Sequence, residues 1–220
     1  MATFSGPSIV RDNLVFHLDA GNTKSYPGTG STWSDLSGYG NNGTFSGSTT
    51  YSSANGGALS FNGGTDSVYA SGIISGQQYT WGAWINSSSI ANDQNILSMN
   101  GPYFMRITGS TVRYNILTSS GWLFQQGTTI LSSNTWYYLT MVFDSANGLW
   151  KGYINGVPEF SVSKTGTQGY GSFYVYIGYT PQGGENAPFY GKIATIQYYN
   201  ASLTNTQILQ NYNAHRSRFT

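Results

Sequence analysis

Two stretches decide the reading of this chain: Asn134-Thr-Trp-Tyr-Tyr-Leu-Thr-Met-Val-Phe-Asp144 and Gly148-Leu-Trp-Lys-Gly-Tyr-Ile-Asn-Gly-Val-Pro158. Side chains alternate across a β-strand, so Trp136, Tyr138, Thr140 and Val142 fall on one face and Tyr137, Leu139, Met141 and Phe143 on the other. Both faces are largely apolar or aromatic, which predicts a central strand covered on both sides. Asn155-Gly156 supplies the positive φ angles that a two-residue hairpin requires, so the chain is expected to reverse there.

Outward from this pair, strands are predicted over residues 14–19, 43–45, 59–61, 67–70, 80–86, 95–99, 103–108, 111–117, 122–126, 157–163, 173–179 and 189–199, separated by Gly, Ser, Thr and Asn. Many short strands with frequent turns predict an all-β, antiparallel two-sheet jelly-roll sandwich. One short helix is expected at the carboxyl end, where Thr204 caps, Gln207 completes a capping box, and Ile208, Leu209 and Tyr212 recur at helical spacing. Residues 1–13 carry little periodicity and Gly6-Pro7, and read as an arm able to dock onto a neighbour; residues 14–220 read as one domain. No heptad run or internal repeat is visible.

Composition narrows the function. The 220 residues are only 8% charged but 16% aromatic, with 29 Gly and a net charge of +1. The nine Lys and Arg, scattered except for Arg216 and Arg218, form no electrostatic footprint for nucleic acid. No apolar run approaches the roughly 18 to 20 residues that span a bilayer, and Met1 to Pro7 lacks the basic start and apolar stretch of a secretory signal. Neither nucleic acid nor membrane is expected as a partner. Without Cys, neither disulfides nor thiolate metal sites contribute, which argues against an animal extracellular protein.

Chemistry has few residues to work with. A glycosidase needs two carboxylates flanking a sugar bond, yet the only glutamates are Glu159 and Glu185 and the six aspartates are dispersed. No enzyme is expected. His17, between Phe16 and Leu18 in the first strand, reads as a satisfied structural histidine, and His215 as a helix-end cation favoured by the dipole. Trp84, Trp136 and Tyr153 read as core. Trp33, Trp122 and Tyr170 lie nearer loops and are the candidates for stacking on a sugar ring, against the commoner role of packing.

The two opening stretches resemble the "W-x-h-x-a-x-x-x-D … l-Y-v-N-G" core of the concanavalin A-like lectins and glucanases, in particular their laminin-G-like branch. Leu14-Val-Phe-His-Leu-Asp-Ala-Gly-Asn22, Trp33-Ser-Asp-Leu-Ser-Gly-Tyr-Gly-Asn-Asn-Gly43, Ala58-Leu-Ser-Phe-Asn-Gly63, Tyr79-Thr-Trp-Gly-Ala-Trp-Ile85 and Gly191-Lys-Ile-Ala-Thr-Ile-Gln-Tyr-Tyr-Asn200 extend the resemblance in the expected order. It implies possible Ca²⁺ ligands at Asp35 with Asn41, at Asp66, and at Asp93 with Asn95, beside the plainer reading that Asp35 and Asp66 hold turns. Where many relatives read G-x-I-D, this chain has Gly191-Lys-Ile-Ala194, an alanine in place of the acid.

The run Leu203-Thr-Asn-Thr-Gln-Ile-Leu-Gln-Asn-Tyr-Asn-Ala-His-Arg-Ser-Arg-Phe219 resembles the ending of laminin-G-like virion proteins of tailed bacteriophages, including those of cyanobacteria. That resemblance implies a virion location and other virion proteins, of capsid or tail, as partners. The expected function is a non-enzymatic virion surface protein, a capsid decoration or cement; the alternative is a carbohydrate-binding host-recognition module of a tail or fibre that takes surface glycans.

Overall fold

A computed structural model of the protein describes residues 7–99, 103–119, 121–164, 166, 171–179 and 187–219. Its strands, in chain order, are β1 (Leu14–Asp19), β2 (Thr32–Trp33), β3 (Gly43–Ser46), β4 (Thr50–Ser52), β5 (Ala58–Asn62) and β6 (Ser67–Ser75). There follow β7 (Gln78–Ser87), β8 (Gln94–Met99), β9 (Tyr103–Thr108), β10 (Thr111–Thr118) and β11 (Gly121–Gln126). The remainder are β12 (Trp136–Asp144), β13 (Leu149–Ile154), β14 (Val157–Ser163), β15 (Gly171–Ile177) and β16 (Tyr190–Tyr199), before one helix, α1 (Asn205–His215).

The strands form two eight-stranded antiparallel sheets. One runs β14-β13-β12-β7-β16-β5-β4, with β1 also on β16; the other runs β11-β10-β9-β8-β15-β6-β3-β2. This is the expected all-β sandwich with, among the described residues, a single short α-helix at the carboxyl end. The two-residue β2 and three-residue β4 were not legible as strands, because pieces so short carry no periodicity.

The alternation expected of β12 holds in space. Leu139, Met141 and Phe143 enter the core between the sheets, opposite Ala83, Trp81 and Tyr79 of β7. Tyr138 and Val142 face outward and are just as buried, at 1% and 3% exposure, because the chain ends cover that face. Gly82 makes room there: a Cβ on it would lie 2.4 Å from the Tyr138 hydroxyl, which donates to Gln197 Oε1 at 2.7 Å. The reversal falls at Asn155 (φ 53°) and Gly156 (φ 78°), and Asn155 Oδ1 accepts from the Tyr138 backbone at 2.8 Å.

Helix α1 opens with the expected capping box of Thr204 and Gln207. Ile208 and Asn211 are its buried residues, whereas Leu209, expected on the same stripe, is 45% exposed. The arm boundary at residue 13 also needs correction. Ile9 and Val10 are buried against Leu14, Val142, Tyr199 and Ile208, the Val10 N–H donates to Asn211 Oδ1 at 2.8 Å, and Tyr199 donates to the Val10 carbonyl at 3.1 Å. Apolar burial and these bonds tie residues 8–10 to their own domain; residues 1–6 lie outside the described part.

Candidate binding site

At one end of the sandwich the edge of β5, the turn between β7 and β8, and the entry to β16 surround an open cavity of about 530 Å³. Asn62 closes β5, Ser89, Asn92 and Asp93 come from the turn, Gln94 begins β8, and Pro188 and Tyr190 lead into β16. Gln94 is the internal brace. Its Oε1 accepts from Ser87 Oγ at 3.1 Å and from the Tyr190 backbone at 2.9 Å, while its Nε2 donates to the Ser89 carbonyl. The Ser88 N–H donates to the Tyr190 carbonyl at 2.9 Å and the Gly63 N–H to that of Phe189 at 3.1 Å. The backbone around Tyr190 is thereby fixed from three segments.

That bracing sets two kinds of surface side by side. Phe189 turns into the core at 1% exposure, so its neighbour Tyr190 turns outward and is 49% exposed. Asn62 Oδ1 accepts from the Gly64 N–H at 2.7 Å, and Asn62 and Asn92 bring side-chain amides to the cavity lining. Asp93 pairs with Arg106 at 3.3 Å, and its own side chain is 45% exposed. An aromatic face beside amide donors and one partly neutralised carboxylate suits a polyol ring, whose C–H face stacks while its hydroxyls exchange hydrogen bonds.

Of the described residues singled out from sequence, only Asp93 borders this cavity. Trp33 is corrected: it is wholly buried in the core with Leu18 and Val68, where no ligand can stack on it. It follows a polar loop in sequence, but β2 pairs with β3 at Trp33↔Gly43 and carries the ring inward. Trp122 pairs with Leu117 through the β10–β11 backbone; its side chain, like the whole of Tyr170 and Glu185, lies outside the described part.

Asp35 and Asp66 act as turn holders. Asp35 accepts from the His17 and Ser37 backbones, each at 2.9 Å, from the Asn41 backbone at 3.1 Å and from Ser37 Oγ at 2.7 Å. Asn41 donates its side-chain amide to the Val15 carbonyl at 3.0 Å. Asp66, 4% exposed, accepts from the Ser48 and Asn62 backbones at 2.6 and 3.2 Å. Among the described residues no three His, Asp or Glu side chains are placed to hold a metal ion. Asp35 and Asp66, each alone and already engaged by N–H and O–H donors, do not fit the six to eight oxygens of a Ca²⁺ cage. Glu159 is likewise structural, accepting from the Thr128 and Thr129 backbones at 2.9 and 3.0 Å.

The histidines depart from expectation together. His17 is buried as expected, but neither ring nitrogen has a hydrogen-bond partner among the described residues. His215 is not a helix-end cation. Burial pushes both imidazoles down to about 4 against the partial opposition of Asp19, so both are neutral at pH 7. Beyond the helix it is Arg218 that pairs with Asp19, its Nη1 reaching both carboxylate oxygens at 2.9 and 3.1 Å.

Sequence reasoning missed Asn62, Asn92, Gln94 and Tyr190. One signal was present: in Pro188-Phe189-Tyr190-Gly191 the core phase of β16 assigns Phe189 inward, which leaves Tyr190 as an aromatic out of phase with the core. Its company could not be read, since Asn62 and Asn92 are distant in the chain.

A laminin-G family model, described as concanavalin A-like lectin/glucanases superfamily, matches residues 62–209. No curated protein matches the chain. Among solved structures, the binding domain of Paraclostridial Mosquitocidal Protein 1 aligns with a TM-score of 0.73 at 14% identity, over 93% of this chain and 52% of that one. The binding domain of botulinum neurotoxin DC in complex with SialylT aligns at 0.72 and 12% identity, over 93% and 52%. Domain 4 of AbnA, a GH43 extracellular arabinanase of Geobacillus stearothermophilus, in complex with arabinotriose, aligns at 0.64 and 21% identity, over 91% and 98%. The chain spans about half the length of the toxin binding domains and nearly all of the arabinanase domain. At these identities the likeness is one of fold.

Proposed function

The chain belongs to the concanavalin A-like lectin/glucanases superfamily, and from that premise we propose that it is a non-catalytic glycan-binding module displayed on a bacteriophage particle. The observation that carries the reading is the end cavity, where the half-exposed Tyr190 stands beside Asn62, Asn92 and Asp93. Two of its structural neighbours were solved with a sugar ligand, arabinotriose in one and SialylT in the other. Catalysis finds no support in the same cavity: Asp93 is the one described carboxylate that borders it, and Arg106 pairs with it, whereas glycoside hydrolysis needs two carboxylates across the scissile bond.

The particle setting rests on the resemblance of residues 203–219 to phage virion endings. A second reading, a capsid decoration or cement protein held by protein contacts, is favoured by a separate observation. The sheet opposite the helix exposes Tyr69, Tyr174 and Phe124 at 39%, 48% and 64%, a spread of outward aromatics suited to a protein neighbour.

Titration of the purified chain against a panel of neutral and acidic oligosaccharides tests the first reading. Saturable binding without release of reducing ends is expected, weakened at least tenfold by Tyr190→Ala. A panel with no binder, together with head-surface labelling of intact particles, would move the function to decoration.

A further inference from the structure

A second cavity, of about 320 Å³, lies where the two chain ends meet the first strand. Its wall includes Ile9 and Arg11 of the arm, His17 and Asp19 of β1, and His215 of α1. The two imidazoles face each other there, with ring centroids 6.4 Å apart and planes 30° from parallel. Neither ring nitrogen of His17, nor Nδ1 of His215, has a hydrogen-bond partner among the described residues.

The charges around this pair are balanced before either ring takes a proton. Asp19, Asp35 and Arg11 face His17; Asp19, Arg218 and Arg11 face His215. Asp19 is already committed, since Arg218 donates to both of its oxygens, and His215 Nε2 stands 3.9 Å from Asp19 Oδ2. Asp35 is saturated by backbone donors and Ser37. Two added protons would therefore be two uncompensated charges in a buried space beside Arg11, and a buried unpaired charge is costly.

The elements that would yield are those walling the cavity. The arm is held to α1 by Val10 on Asn211 and by Gln210 Nε2 on the Ser8 carbonyl at 2.7 Å. Neither tie belongs to a sheet ladder. We propose that His17 and His215 form an acid-sensitive latch, which keeps the amino-terminal arm and the carboxyl-terminal tail on the sandwich at neutral pH and frees them when the rings take up protons. Freed, the arm uncovers the apolar surface of Leu14, Val142 and Ile208 on which Ile9 and Val10 rest. The depressed proton affinity of both rings agrees with this sense of coupling, because the open form binds protons more tightly than the closed one.

The test is amide hydrogen exchange of the full chain at pH 7.5 and 4.5, corrected for the intrinsic pH dependence of exchange. Protection at Val10 and Phe219 is expected to fall at least tenfold more than protection at Leu139 and Ile196 in the sheet centre. His17→Gln with His215→Gln should remove that difference. Arg11→Gln, on an exposed side chain that leaves both rings in place, should reduce it. Equal loss at arm and centre, or a differential loss that survives the double substitution in a folded chain, would overturn the latch; if the double variant does not fold, an unchanged differential in Arg11→Gln overturns it.

Discussion

Arg218 Nη1 donates to both carboxylate oxygens of Asp19, at 2.9 and 3.1 Å, across 199 positions of the chain. The same guanidinium reaches the carbonyls of Gly56 and Gly57 through Nη2, at 3.2 and 3.1 Å. One side chain near the carboxyl end thus joins the first strand to the segment before β5. Next to it, Phe219 packs on Trp84 and Trp136, with centroids 4.4 and 4.5 Å away. The Arg-Ser-Arg-Phe ending is a clasp.

Removing one half of that clasp leaves the other half's charge largely buried, since the Arg218 and Asp19 side chains are 17% and 10% exposed. Arg218→Ala is expected to destabilise the fold by about 3 kcal/mol, read as a lower urea midpoint with an unchanged slope. A midpoint equal to that of the parent chain would show the pair to be dispensable.

Stability should also depend on pH in a definite sense. Both histidines have folded-state values lowered from 6.5 to about 4 by burial, so between those limits the unfolded chain binds more protons. The stabilisation is complete above about pH 6.5, declines as pH falls toward 4, and levels below that, by on the order of 3 kcal/mol for each ring. Urea midpoints measured from pH 8 to 4 check this. A midpoint that holds level or rises on acidification contradicts the burial of neutral rings.

Ala194 is fully buried on the outer face beneath Trp84, Tyr138 and Phe219. The substitution Ala194→Asp would bury a carboxylate among aromatic rings. A loss of about 3 kcal/mol or more is expected, and added Ca²⁺ should not restore it. Recovery of the melting temperature on addition of Ca²⁺ would reveal a latent metal site.

Trp33→Ala separates core from ligand roles. A wholly buried indole removed from the main core costs about 3 to 5 kcal/mol. Glycan affinity of the fraction that remains folded should match the parent chain; selective loss of affinity without loss of stability would reinstate the ring as a ligand contact.

The contrast between Trp33 and Tyr190 shows which features local sequence carried. Period-two alternation in β12, the Asn155-Gly156 reversal and the Thr204 to Gln207 capping box were legible because each is set by residues within one turn or strand. The sandwich and its covered outer face followed from them. The cavity was not legible, as Asn62, Asn92 and Tyr190 converge only after β5, β7 and β16 have paired. Trp33 misled for the complementary reason: a two-residue strand turns a loop tryptophan inward without leaving a periodic trace. The meeting of His17 with His215 likewise depends on closure of the whole chain.

The central claim is that the end cavity is where a glycan binds, and mapping amide chemical-shift changes on titration with a binding oligosaccharide tests it most directly. Changes concentrated at Asn62, Gly63, Asn92, Asp93 and Tyr190, and abolished by Tyr190→Ala, are the predicted result. Changes confined to Tyr69, Tyr174 and Phe124 on the exposed sheet, with the cavity amides unmoved, would contradict it.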